Sequence, residues 1–442
     1  MLLTLLIAVL VIYVPSPMRG FLIPLGWVPV GVLAVLCAHA LLCQAAGRVA
    51  RALHSGRSQA AGLRALRVLV LPKLSIVFLT ILTVYVLRWP LLVEWLFSPV
   101  AWLPGVDDVL LLLPTLVMIV TAMAFRYGFE RKAHRVRLTL LEYVVLRLRT
   151  EIGILLAPWF IFVLVSDATL TAFGGSPHYE MIDLFVSLGL MLVVITFAPL
   201  LLRLVWRTSP LPAGPLRDRL EALCRAQHFR CRQILVWHTR NHMPNAGVIG
   251  MVPWMRYVLL SDALLAHCSE EEVEGIFAHE IGHIKNHHLS FYLLFAAGFT
   301  CFYANVVDLL ARFGWVSPIG NMLVDELTSG QAVIMLIFAA LYWVLVFGYL
   351  SRRLEQQADL FSLRAASVPM AFVSALQKLG SLSGAARRAG SWRHFSISRR
   401  TAFLRQAVAH PERALKTERF VQTVQLVIIF LFVISCARAL LW

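Results

Sequence analysis

This sequence is poor in charge. Asp, Glu, Lys and Arg make up only 14% of its 442 residues, where soluble chains carry about 25%. Hydrophobic residues make up 59%, too much apolar surface for a water-soluble protein to hide and too much for a disordered one. Acidic residues are the scarcer sign: 24 stand against 40 Lys and Arg, for a formal charge of +16. Such an excess fits either a nucleic-acid partner or a membrane with basic loops. The hydrophobicity favours the membrane, and no nucleic-acid recognition motif accompanies the basic stretches. The seven cysteines include no Cys-x-x-Cys pair, and Cys37, Cys43, Cys301 and Cys436 lie in apolar runs. Neither a disulfide framework nor a cysteine-ligated zinc site is indicated, and buried free thiols fit better.

What the sequence has in plenty is long apolar runs. Residues 21–43, 67–88, 107–125, 183–206, 289–311, 332–350 and 420–437 each come close to the roughly 20 residues that span a bilayer as a helix. A shorter run covers 152–166. The first run, Leu2–Val14, lacks the basic start and small-residue cleavage site of a signal peptide and reads as an uncleaved span. The total is about eight or nine spans. The loops alternate in charge. Segment 44–66 holds Arg48, Arg51, Arg57 and Arg64 without an acid, and 126–151 is Arg-rich, while 89–106 and 167–182 hold no Lys or Arg. Basic loops face the cytoplasm, which puts 207–288 and 351–419 there too. Lys73 and His39, near the ends of apolar runs, read as snorkelling side chains. The 126–149 stretch reads as an amphipathic helix against anionic lipid.

Two polar segments interrupt the pattern. In 207–288 a Pro- and Gly-rich linker leads to an amphipathic helix at Arg217–Phe229 and short strands at Ile234–Trp237 and Tyr257–Leu260. Between the strands, Asn245–Gly250 reads as an edge strand or turn. Segment 351–419 is mostly helical. The chemistry begins at Phe277-Ala278-His279-Glu280-Ile281-Gly282-His283-Ile284. On a helix His279 and His283 face the same way, so two imidazoles can hold one Zn²⁺ while Glu280 polarises its water. Ser269 and Glu272 form a capping-box pattern ahead of them. A catalytic zinc needs a third ligand and an open position. Leu289 stands where the metzincin pattern would put a third histidine. Glu355 and Asp359, four apart after the 332–350 run, are the alternative. One can bind zinc while the other orients a ligand imidazole. His287 and His288 read as extending the zinc helix, His287 as an interfacial polar residue.

His279-Glu280-Ile281-Gly282-His283 followed by Glu355-Gln356-Gln357-Ala358-Asp359 resembles the integral-membrane zinc peptidases related to CAAX prenyl endopeptidase and HtpX. Asn245-Ala246 with Gly250, then Val258-Leu259-Leu260-Ser261-Asp262, resemble the stretch ahead of that family's zinc helix. His288 sits where the family often has another histidine. His394 with Arg400 resembles the family's His-Pro-x-x-x-x-Arg element, although Phe395 replaces the proline. His410-Pro411 keeps the dipeptide but has Lys416 in place of the arginine. The resemblance implies a mainly α, polytopic membrane protein with a gluzincin-type zinc peptidase region and a small β element. It implies one zinc ion on His279, His283 and Glu355, with Asp359 supporting the site and Glu280 as general base. It further implies His394 as a catalytic donor to the oxyanion, and Asn245, Ala246 and Arg400 at the substrate.

The expected organisation is a membrane domain at 1–206 with about six spans, then a catalytic region at 207–288. Two spans at 289–350, a second catalytic region at 351–419 and a last span at 420–442 follow. The expected function is a zinc-dependent endopeptidase at the cytoplasmic face, embedded in the lipid bilayer. Its substrates would be membrane-associated, misfolded or lipid-modified proteins or peptides. The alternative is a sensor-transducer that cleaves a regulatory protein or itself. That reading calls for a large extracytoplasmic domain, and the outer loops are short. The lack of a C-terminal retention signal favours a bacterial inner membrane over the endoplasmic reticulum.

Overall fold

The structure is a computed structural model that describes residues 23–55, 67–97, 105–133, 138–241, 244–313, 341–382 and 395–441, with residues 4, 5, 12, 64, 65 and 338. It divides into two compact units, Met1–Arg207 and Thr208–Trp442.

The first unit is helical: α1 (Val28–Ser55), α2 (Leu71–Ile81), α3 (Trp89–Phe97), α4 (Val106–Ala133), α5 (Leu140–Arg147), α6 (Gly153–Phe173) and α7 (Tyr179–Val205). Their outward faces carry exposed Leu, Val and Phe while polar groups turn inward, the reverse of a soluble protein. Thr80 and Thr115 hydroxyls meet at 3.0 Å, and the Trp89 indole donates to the Leu110 carbonyl at 3.0 Å. His39 is buried and does not snorkel: its Nε2 lies 2.9 Å from the Met118 carbonyl and its Nδ1 3.0 Å from Ser75 Oγ.

Three expectations change here. The 67–88 run does not end its helix at 88: after Leu71–Val86 the chain bends by 60° and continues as the apolar helix Trp89–Phe97. Arg88 takes a left-handed conformation (φ 58°), and Pro90 follows at the start of α3, where its missing N–H does no harm. Part of the expected 89–106 loop is therefore helix. The 152–166 run extends to Phe173 because its polar end is satisfied locally. Thr169 and Thr171 hydroxyls each donate 2.8 Å back to a carbonyl four residues earlier, and Asp167 accepts the Gly105 N–H at 2.6 Å. The 126–149 stretch is two helices, not one. Thr139 starts the second with a capping box to Glu142.

The second unit holds β1 (Thr208–Pro210), α8 (Pro215–Ala226), β2 (Gln233–Trp237), β3 (Ala246–Ile249), β4 (Tyr257–Ser261), α9 (Asp262–His267) and α10 (Glu270–Lys285). Then come α11 (His288–Arg312), α12 (Gly348–Ala365), α13 (Ala371–Leu382), α14 (Ile397–Ala409) and α15 (Pro411–Leu441). The sheet order is β1-β2-β4-β3, with β2 and β4 parallel and the other two pairs antiparallel. Central β4 is buried at every residue, whereas β3 is half-buried and has a neighbour on one side only. Phe277, Ala278 and Ile281 of α10 join Val258 and Leu260 of β4 and Phe372 and Ala375 of α13 in one core.

Across both units, five described helices are long and apolar enough to cross a membrane, or six if the bent pair counts as one span. Of the remaining expected runs, Leu2–Val14 apart from residues 4, 5 and 12, and part of 332–350, lie outside the described residues. The 289–311 run falls within α11. The chain is an integral membrane protein of several spans.

Candidate metal centre

The metal helix is built from its first turn. Ser269 and Glu272 form the expected capping box: the Ser269 N–H donates to Glu272 Oε2 at 2.8 Å, and the Glu272 N–H to Ser269 Oγ at 3.3 Å. Glu272 also accepts from Ser374 Oγ at 2.7 Å and Lys378 Nζ at 2.5 Å, which ties α10 to α13. Glu274 accepts from the Ser367 N–H and hydroxyl at 3.0 and 2.6 Å. No buried carboxylate of this helix start is left without donors, so the apolar face below can pack. Two glycines set how closely it packs. A Cβ at Gly275 would lie 2.9 Å from the Phe372 nitrogen, and one at Gly282 would lie 3.0 Å from Phe361 Cβ and 3.2 Å from Ala358 Cα.

That close approach brings α10 and α12 into register. His279 and His283 Nε2 atoms stand 3.2 Å apart. Glu355 lies 3.7 Å from His279 Nε2 and 3.6 Å from His283 Nε2. Behind them, Asp359 Oδ1 faces His279 Nδ1 at 3.0 Å, and Arg400 of α14 clamps Asp359 with contacts of 3.0 and 2.5 Å. Burial acts to raise the Asp359 carboxyl, but Arg400 and then His279 outweigh it and hold the group below its usual range. The His279 ring stacks on Phe372 at 5.1 Å between centroids.

Helix α10 ends sooner than expected. Asn286 caps it, with its side-chain amide donating to the Gly282 carbonyl at 2.8 Å, and His287 adopts φ 56°. His288 then opens α11. A continuous helix would swing residue 288 away from His283; the break folds it back. His288 is buried, with Nδ1 2.8 Å from His283 Nδ1 and Nε2 3.0 Å from Gln357 Oε1. Burial pushes its imidazole down to about 4, so it is neutral and carries a single N–H. Gln357 Oε1 can only accept, so that proton sits on His288 Nε2. His288 Nδ1 must then accept from His283 Nδ1, which leaves His283 Nε2 with a lone pair. The Asp359 carboxylate favours a proton on His279 Nδ1 in the same way.

With those tautomers, His279 Nε2, His283 Nε2 and the Glu355 carboxylate turn their lone pairs toward one point, an arrangement that suits a cation. Tetrahedral ligands about 2.0–2.1 Å from a zinc ion stand about 3.3 Å from one another, close to the spacings here. His279, His283 and Glu355 are the ligand set that the geometry brings together. The two histidines and a carboxylate suit zinc.

Glu280 lies beside the ligands and accepts a hydrogen bond from the Val248 N–H of β3. Burial raises its carboxyl above the usual range. Asn245 exchanges hydrogen bonds with Ser261, through its N–H to Ser261 Oγ at 2.8 Å and its carbonyl to the Ser261 N–H at 2.9 Å. Ala246 opens β3 opposite Leu260. In the antiparallel alternation, Asn245 facing inward leaves Ala246 and Val248 with their backbone groups on the open edge. Arg400, expected at the substrate, has its guanidinium on Asp359 and within 3.9 Å of Glu355. His394 lies outside the described residues. Gln357 and Phe372 had no signal in the sequence, because neither belongs to a ligand spacing.

A paired-histidine helix with a glutamate from a second helix defines a gluzincin-type metal site on a membrane scaffold. Residues 210–423 match the family model of Peptidase family M48. A Protease HtpX homolog of Desulfatibacillum aliphaticivorans is 34% identical over 143 residues, which is 32% of this chain and 46% of that protein. A CAAX prenyl protease 1 homolog of Arabidopsis thaliana is 30% identical over 205 residues, 43% of this chain and 46% of that one. The chain spans about half the length of the curated relatives it matches. The fold is similar to the crystal structure of S. mikatae Ste24p, with a TM-score of 0.56 at 16% identity over 87% of this chain and 100% of that one.

Proposed function

We propose that the protein is a membrane-embedded zinc endopeptidase with its site at the cytoplasmic face of a bacterial inner membrane. Its substrates are membrane-associated, misfolded or lipid-modified proteins, in keeping with relatives named Protease HtpX and CAAX prenyl protease 1. The observation that carries this reading is the convergence of His279, His283 and Glu355 beside Glu280 and an open sheet edge. Zinc, when bound, supplies Lewis acidity and acidifies a water. The chain's own residues do the rest. Glu280, with its carboxyl raised by burial, takes the proton of the attacking water and delivers it to the leaving amine. The Ala246 backbone and the Val248 carbonyl, whose residue's N–H is held by Glu280, pair with the backbone of an extended substrate, which favours main-chain over side-chain recognition. Asp359, clamped by Arg400, holds the His279 ring in its ligating orientation. His394 donates to the oxyanion.

The test is Glu280→Gln. The variant should keep one zinc per chain and lose cleavage of an unfolded reporter peptide; retained cleavage would remove Glu280 as the base. Proteomics of membranes holding this variant as a trap separates the substrate classes. Prenylated tails and damaged membrane proteins are the two alternative enrichments.

A further inference from the structure

A charged cluster inside the first unit takes no part in this chemistry. Lys73 opens α2, Arg126 and Glu130 come from α4, Arg147 ends α5, and Glu151 sits in the wide helical turn that follows. Lys73, Arg126, Arg147 and Glu151 line one cavity, with Cys43 and Tyr143 among its other walls. It offers about 30 Å³ to water centres, room for about two waters or one phosphate-sized group.

The cluster does not balance itself. Glu130 takes Arg126 at 2.8 Å and Arg147 at 3.6 Å, and Glu151 takes Arg147. No described carboxylate comes within 4.0 Å of the Lys73 ammonium. Among the described residues, three cations thus face two carboxylates, at the first turn of a span. A cation held there costs free energy unless an anion joins it. The polar groups nearby are already engaged: Ser75 Oγ donates to the Pro72 carbonyl at 2.9 Å, and Cys43 Sγ lies 3.2 Å from His39 Nε2. Leu71 and Leu74, next to Lys73 on α2, and Leu141, at the start of α5, are exposed over half or more of their area.

We propose that this cavity is a headgroup site for an anionic phospholipid. The lipid phosphate sits against Lys73 and Arg126, and its acyl chains lie along the exposed apolar side chains beside them. A free phosphate would satisfy the charge but leave the apolar surroundings unused, whereas the lipid matches both.

The full chain, purified in mild detergent and weighed by native mass spectrometry, tests this. It should retain one phosphatidylglycerol after loosely held lipid is stripped, and not phosphatidylcholine supplied at equal concentration. Lys73→Met should weaken retention at least about fivefold, and Lys73→Arg should preserve it. Arg126→Gln, which leaves Lys73 in place, gives an independent second loss. Equal retention of both lipids, or wild-type retention in Lys73→Met and Arg126→Gln, would overturn the proposal. A third arm replaces lipid by millimolar inorganic phosphate. Thermal protection by phosphate equal to that by phosphatidylglycerol, with no lipid retained, would overturn the lipid in favour of a free oxyanion.

Discussion

His288 Nε2 stands 3.0 Å from Gln357 Oε1, and this contact decides which nitrogen of His283 is free to bind metal. Gln357→Leu releases His288 to take either tautomer. Zinc affinity should fall by about 10–100-fold, the usual cost of losing a group behind a metal-bound imidazole. Competition with a chelator measures it, and unchanged affinity would show that the relay is idle.

Glu355→Ala removes the carboxylate that faces both ligand histidines. The purified variant should hold no stoichiometric zinc by elemental analysis. Normal zinc content would assign the third ligand elsewhere.

Gly282→Ala tests the spacing between helices. The added Cβ would press on Phe361 and Ala358, and overpacking of this kind costs about 1–3 kcal/mol. Because Glu355 lies one turn before Ala358 on α12, the same push moves it from the histidines. A lower Tm together with weaker zinc binding is expected.

Arg400 separates two roles. Its guanidinium is 13% exposed and paired with a fully buried Asp359. Arg400→Leu strands that carboxylate, which should cost about 3–5 kcal/mol and disturb metal binding. A variant with normal stability and zinc content but a raised KM would instead put Arg400 at the substrate.

Glu272 gives a pH dependence away from the ligands. Burial acts to raise its carboxyl, but Lys378, Ser374 and the Ser269 backbone outweigh it and hold it below the ordinary 4.5. A depressed carboxyl contributes stability that is present in full above its unfolded pKa and fades as pH falls through the lower folded value. The second unit should therefore lose thermal stability below about pH 4.5. Glu272→Gln should flatten that limb of the Tm-against-pH curve.

Much of this site is legible in spacing alone. His279, His283, Glu355 and Asp359 are each four residues from their partners, and a helix turns that interval into a shared face. Ser269 and Glu272 announce the helix start for a similarly local reason. His288 and Gln357 are different. Their relation depends on a left-handed residue at His287 and on two helices 69 residues apart in the chain, and no local pattern encodes either. Arg400 reads as substrate-facing from its motif, yet its role follows from a buried carboxylate that only the folded chain brings near. The bend at Arg88 falls where the 67–88 run ends, and the helix beyond it is hidden in what reads as a loop, since hydrophobicity reports length but not direction.

Strand β3 is only four residues long, and just two of them present their backbone outward. Such an edge measures conformation rather than reading letters. A segment whose own N–H and C=O groups are already bonded has nothing to offer it, whatever its side chains. On the proposed function, a chain that has lost its partners would dock. The gate into this protein would thus be the target's state of folding, and one short strand would let it accept many sequences while sparing those that are intact.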